Sequence, residues 1–230
     1  MKSARNFARR TLYAGNQVHC PLCERGFREW VGGRPSGRCP GCTAATRTRV
    51  LYLLLQDRSD LLGDAGPVLH FAPEPCLRVR IQPVLGDRYV STDLRRTDVT
   101  TQQDITKMTF PNEEFGAVIC GHVLEHIPDD RKALSELARV IRPGGNLIVQ
   151  VPLSLESATD EDSAVIDPAE RKRRWGERDH LRMYGLDLSE RIREAGFDVD
   201  VLRCGTLFEP SRRSRYGLDE KQVVFVGRRL

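Results

Sequence analysis

Four cysteines fall close together as Cys20-Pro-Leu-Cys23 and Cys39-Pro-Gly-Cys42. The C-x2-C-x15-C-x2-C spacing constrains this chain more than any other feature, because two such knuckles can converge four thiolates on one tetrahedral ion. Zn2+ suits that donor set, having no d-electron preference for another geometry. Pro21 and Pro40-Gly41 let backbone amides turn towards the sulfurs and stabilise their negative charge. Four thiolates leave no coordination position for water or substrate, so the expected role is structural. The other three cysteines, Cys76, Cys120 and Cys204, are scattered.

Between the knuckles lie Phe27, Trp30 and Val31, then Gly32-Gly33-Arg34-Pro35-Ser36-Gly37. A short strand, a turn and a second knuckle make a zinc ribbon, assigned to residues 1–43. So few apolar residues would not hold together without the ion. The first fifty residues carry ten Lys/Arg against two acids, while the whole chain has a net charge of only +4. The basic segment reads either as a face for phosphate and other anions or as a solvated surface.

The rest of the composition, 40% hydrophobic and 30% charged, is that of a globular chain and excludes a disordered or collagen-like one. The longest apolar run, Val50–Leu55, is far below the ~20 residues of a membrane span. The basic start MKSARNFARR has no apolar stretch after it. The expectation is a cytoplasmic protein with no membrane partner; its oligomeric state is not written in the sequence.

Apolar residues at three-to-four spacing predict a helix over 44–62, connecting the ribbon to the remainder within segment 44–66. From residue 67 the chain alternates. Strands are predicted at Val68–Phe71, Tyr89–Thr92, Phe115–Cys120, Asn146–Val151, Phe197–Leu202 and Val223–Val226, with helices at Cys76–Leu85, Asp129–Ile141 and Leu186–Ala195. That alternation predicts an α/β fold with a parallel, doubly wound sheet over 67–230. Ligands bind such sheets at the carboxyl ends of the strands. The positions concerned are His70, Phe71, Ala72, Pro73, Glu74, Asp93, Cys120, Gly121, His122, Gln150 and Val151.

The stretch Phe115-Gly-Ala-Val-Ile-Cys-Gly-His-Val-Leu-Glu-His-Ile-Pro-Asp129, followed by a helix and Arg142-Pro-Gly-Gly-Asn-Leu-Ile-Val149, resembles class I S-adenosylmethionine-dependent methyltransferases. The resemblance covers roughly residues 67–228 and implies a Rossmann-like sheet and S-adenosyl-L-methionine as cofactor. It implies that Asp93 receives the ribose hydroxyls, as a carboxylate can with charge-assisted bonds, and that Asp104 and Ile105 hold the adenine. His70, Ala72, Glu74, Cys120 and His122 join them as expected cofactor neighbours. The chain departs from the family after the first strand: His70-Phe-Ala-Pro-Glu-Pro-Cys76 has no glycine, and Glu74 is expected to receive the cofactor's ammonium instead.

Methyl transfer needs alignment and often a base. His122, just beyond the fourth strand, is the first candidate, and His180 the reserve. Each histidine reads equally as a hydrogen-bonded structural residue. His126, Trp175 and Tyr184 are expected near the acceptor. Segment 154–178 carries no strand signal and reads as a lid, with Trp175 its apolar anchor. Arg212, Arg213 and Arg215 read as a grip for a phosphate-bearing substrate or as a solvated face. The function expected is methyl transfer to an oxygen or nitrogen of a small-molecule or sugar acceptor. The alternative is an RNA methyltransferase whose basic ribbon binds nucleic acid. No Asn/Asp-Pro-Pro-Tyr-type motif follows the fourth strand, and residues 51–230 are slightly acidic, both of which weigh against the alternative.

Overall fold

A computed structural model describes residues 11–33, 37–63 and 66–230. The basic stretch 1–10 and the expected turn at 34–36 lie outside the described residues. The chain divides into two compact units. One comprises Met1–Ser59, Glu74–Gly86 and Leu202–Gln222; the other comprises Asp60–Pro73, Asp87–Val201 and Val223–Leu230.

In chain order the elements are β1 (Ala14–Cys20), β2 (Arg25–Phe27), α1 (Thr46–Asp57), β3 (Val68–Phe71), α2 (Pro75–Leu85), β4 (Tyr89–Asp93), β5 (Thr101–Gln102) and β6 (Phe115–Gly121). There follow α3 (Asp130–Val140), β7 (Ile141–Gln150), β8 (Asp160–Glu161), α4 (Pro168–Trp175), β9 (Arg182–Met183), α5 (Leu188–Glu194), β10 (Phe197–Arg203), α6 (Cys204–Leu207), α7 (Pro210–Tyr216) and β11 (Val223–Arg229).

The central sheet has seven strands in the order β10-β11-β7-β6-β3-β4-β5. β3 runs parallel to β4 and β6, β6 parallel to β7, and β11 antiparallel to β7. β3 and the first six residues of β6 are buried throughout, which is why both read as largely apolar runs, with His70 the polar exception. α3 begins where the Asp129 carboxylate accepts from the Lys132 amide at 2.9 Å. It turns Ala133, Leu134, Leu137, Ala138 and Val140 into the core. From β3 the chain moves outward to β4 and then returns to β6 on the other side. The crevice outside the carboxyl ends of β3 and β6 is therefore the switch point of the sheet.

Three sequence expectations change. The helix predicted over 44–62 is α1 at Thr46–Asp57 followed by a 3-10 turn at Ser59–Leu62. Arg142–Gly145 is not a turn before a strand; it lies within the ten-residue β7, whose register with β6 shifts between Phe115 and Ala117. Gly145 allows this, because a Cβ there would sit 2.8 Å from the Gly116 carbonyl oxygen. Segment 154–178 carries structure of its own: β8 pairs antiparallel with β9, and α4 ends on a buried Trp175 whose indole N–H donates to Asp160 at 2.9 Å.

Candidate functional site

The first unit holds the cysteines. β1 and β2 form an antiparallel hairpin whose turn carries Cys20 and Cys23. Cys39 and Cys42 lie on the second knuckle, where the Gly41 and Cys42 amides donate to the Cys39 sulfur at 3.3 and 3.4 Å. The four sulfurs lie within 4.8 Å of one another, with Cys20–Cys42 and Cys23–Cys39 both at 3.6 Å. That is too long for a disulfide and close to the ~3.8 Å edge of a tetrahedron with ~2.3 Å Zn–S bonds. Hydrogen bonds from Cys20, Cys23 and Cys42 lower the Cys39 thiol, so one thiolate is already favoured. A Cβ at Gly41 would be crowded, 3.0 Å from Phe27 and 3.2 Å from the Cys23 sulfur, so a larger residue there needs both neighbours to give.

Arg49 of α1 is fully buried in the same unit. Its guanidinium donates to the carbonyls of Ala44, Gly37 and Gly217 and stacks 4.0 Å over the Trp30 ring. Burial pulls it down to about 10, against the opposing pull of the nearby Cys20, Cys39 and Cys42 sulfurs. A buried cation thus answers the charge of the cysteine cluster.

The second unit holds a cavity of about 500 Å³ at the switch point, within the usual range for a small-molecule site. Asp93, Asp104, Ile105, Ala72, His122 and His126 all line it. Asp93 ends β4, and its Oδ1 accepts from the Arg95 and Arg96 amides at 2.8 and 3.0 Å. Oδ2 is left as the oxygen that can receive a diol. The Thr106 amide and hydroxyl both donate to Asp104 Oδ1 and hold this carboxyl below its ordinary value. Ile105 beside it is buried and supplies an apolar face.

Two backbone positions shape the cavity. Ala72, just after β3, has φ +44°, and His122, just after β6, has φ +56°. Left-handed backbone costs a non-glycine residue roughly 1–2 kcal/mol. Here the conformations are held by the Ala72 amide donating to Thr92 at 2.8 Å and the His122 amide donating to Gln150 at 2.7 Å. The glycine-free turn noted in the sequence therefore adopts a glycine-like conformation through alanine, the smallest residue that still carries a Cβ.

His122 Nδ1 lies 3.1 Å from Glu125 Oε1, and Glu125 is 1% exposed. With its proton on Nδ1 towards this carboxylate, the ring carries its lone pair on Nε2, which is buried and has no hydrogen-bond partner among the described residues. Arg182, buried on β9, donates to the carbonyls of Leu124, Ile127 and Pro128 and so fixes the 3-10 turn Leu124–His126 that carries Glu125. Arg182 and Asp179 went unmarked as site residues in the sequence, where an Asp and an Arg flanking His180 carry no periodic signal.

The remaining expected residues lie elsewhere. His70 is buried with its Nδ1 3.0 Å from the Tyr89 hydroxyl, and Cys120 is wholly enclosed, which raises its thiol. Glu74 belongs to the first unit, where its carboxylate accepts from Arg47 at 2.9 Å and from the Thr48 hydroxyl. Tyr184 is buried and donates to Asp130 at 2.7 Å. Trp175 lines a separate hollow with Pro128 and Arg171. His180 Nδ1 donates to the Trp175 carbonyl at 2.8 Å, and its ring stands edge-on to His126 at 4.9 Å. Of the three arginines expected to grip phosphate, Arg212 pairs with Asp57 and Arg213 donates to the Gly205 and Phe208 carbonyls.

Comparison with known proteins bears on this arrangement. Residues 85–149 match the methyltransferase domain family. Over 63 residues, 27% of the chain, it is 33% identical to a ubiquinone/menaquinone biosynthesis C-methyltransferase of Methylococcus capsulatus, of which the match covers 25%. It is 27% identical over 116 residues to a demethylmenaquinone methyltransferase of Renibacterium salmoninarum, matching 41% of this chain and 49% of that one. The chain thus spans less than half the length of either relative. Among solved structures, an S-adenosylmethionine-dependent methyltransferase of Thermotoga maritima superposes with a TM-score of 0.53 at 18% identity, covering 80% of this chain and 91% of that one. The fold of the chain is thus similar to that of solved S-adenosylmethionine-dependent methyltransferases, and within it residues 85–149 match the methyltransferase domain family.

Proposed function

We propose that this protein transfers a methyl group from S-adenosylmethionine to an oxygen or nitrogen of a small-molecule or sugar acceptor. The observation that carries the reading is one cavity in which Asp93, Asp104 and Ile105 converge with His122 outside the strand ends. The cofactor, when bound, supplies a methyl carbon on a sulfonium with a neutral thioether as leaving group. Asp93 would accept from the ribose hydroxyls, Asp104 from the adenine amine, and Ile105 would cover the ring face. His122 would take the acceptor's proton at Nε2 as the acceptor oxygen or nitrogen bonds to carbon, with Glu125 holding the imidazole in its reactive tautomer. C-methylation is named for some relatives, and the carbon acceptor is the competing chemistry.

We further propose that Cys20, Cys23, Cys39 and Cys42 hold one Zn2+ and that the ion organises the ribbon rather than the chemistry. The nucleic-acid alternative rests on the basic N-terminal segment, much of which lies outside the described residues. The deciding experiment is transfer of labelled methyl from S-adenosylmethionine into fractionated cell extract. Label in the small-molecule fraction supports the reading, label in RNA replaces it, and cofactor binding without transfer anywhere makes the domain a binding module.

A further inference from the structure

The structure assigns a second metal site to the second unit: a divalent cation held by Glu125, His126 and His180. One donor atom from each lies within 4.8 Å of the other two, a spacing that small side-chain rotations close to the ~3.4 Å of ligands around one ion.

Three observations select these side chains. Glu125 is 1% exposed, and its Oε2 has no hydrogen-bond partner, although Oε1 is engaged by His122. A buried carboxylate oxygen left without a partner is unfavourable, and a cation bound to it removes that penalty. Both imidazoles are also set for coordination through Nε2. His180 Nδ1 donates to the Trp175 carbonyl at 2.8 Å. His126 Nδ1 faces the Asp179 carbonyl and carboxylate, each at 3.4 Å. A partner on one ring nitrogen fixes the tautomer and leaves the other as the ligand, as in most histidine metal sites. Finally, the Leu181 amide donates to the Glu125 carbonyl at 2.9 Å, tying the two segments that bring the donors together.

Two imidazoles and one carboxylate suit zinc, manganese or ferrous iron, and three protein ligands leave positions open. His126 and Asp179 line the same cavity as His122, so those positions adjoin it. An acceptor oxygen on the ion would lose its proton to His122 more readily; that role, unlike the site itself, rests on the methyl-transfer reading.

Mn2+ is the discriminating probe, because it prefers nitrogen and oxygen donors to a thiolate cluster. Titration of the full chain followed by electron paramagnetic resonance should show one bound Mn2+ per chain. Glu125→Gln and His180→Gln should each lose it, at least 100-fold in affinity. Asp179→Ala, a change at an exposed side chain, should weaken it roughly 10-fold by releasing His126. Circular dichroism of the same samples reports whether each variant is folded, and S-adenosylmethionine binding by the unaltered chain tests the functional reading separately. Absence of bound Mn2+ in the unaltered chain, or binding that all three substitutions leave intact, overturns the site.

Discussion

The two clusters capable of holding metal differ in how they are built. Cys20, Cys23, Cys39 and Cys42 come from two segments close in sequence, all four donors are alike, and their number suffices for a tetrahedral site. Glu125, His126 and His180 come from segments more than fifty residues apart, mix carboxylate with imidazole, and stop at three. A complete set of local donors stands in for a core that a short segment lacks. An incomplete set of distant donors presupposes a fold that already stands, and it leaves room for a ligand.

The largest expected effect breaks the local set. Elemental analysis should find one Zn2+ on the four cysteines. Cys23→Ser should remove it and with it the protection of the β1–β2 amides from hydrogen exchange, since structural zinc contributes about 10–16 kcal/mol in small zinc-binding segments. Less than half an equivalent of zinc in protein purified without chelator would reject the closed site.

His122→Ala should leave cofactor affinity in place and lower turnover roughly 10²–10⁴-fold, the share usually carried by a general base. The acid limb of the pH–rate profile should vanish with it, because a protonated imidazole cannot accept a proton. Full activity in this variant would leave alignment as the mechanism. Asp93→Ala should cost about 1.5–3 kcal/mol of S-adenosylmethionine affinity by calorimetry. Unchanged affinity there would mean that the ribose contact is elsewhere.

The smallest effect concerns Glu161, which Arg191 at 2.7 Å and Arg182 at 2.8 Å hold down to about 2, from its ordinary 4.5. A carboxyl lowered on folding stabilises the native state above its unfolded value and loses that contribution as pH falls towards its folded one. The β8–β9 pairing should therefore loosen between about pH 4.5 and 2, with Glu161→Gln flattening the response. The side chain is 41% exposed, so solvent screening keeps the effect to a fraction of a kcal/mol. Amide exchange at Met183 across this window is the measurement.

Legibility followed the same division between local and distant contacts. The cysteine knuckles, the apolar runs of β3 and β6 and the amphipathic face of α3 are each contained in a short window, and periodicity or spacing reports them directly. Asp93, Asp104, Ile105 and His122 fall along the chain in a strand-end order that a family resemblance makes readable, and the fold brings all four to one cavity. Tyr184 and Trp175 looked like acceptor contacts, yet each anchors an internal hydrogen bond, to Asp130 and Asp160. Which way an aromatic side chain faces is decided by partners tens of residues away. Arg182 was silent for the same reason: its three carbonyl partners lie more than fifty residues earlier.

The left-handed backbone at Ala72 bears on how this sequence can drift. Glycine, and next to it asparagine, can enter this turn at little conformational cost, whereas valine, isoleucine and threonine are shut out by their branched Cβ. Across a lineage the letter at position 72 is then free to wander among a few small residues while the dihedral stays put. What is inherited at this end of β3 is a torsion angle, and chains that share it need not share a glycine.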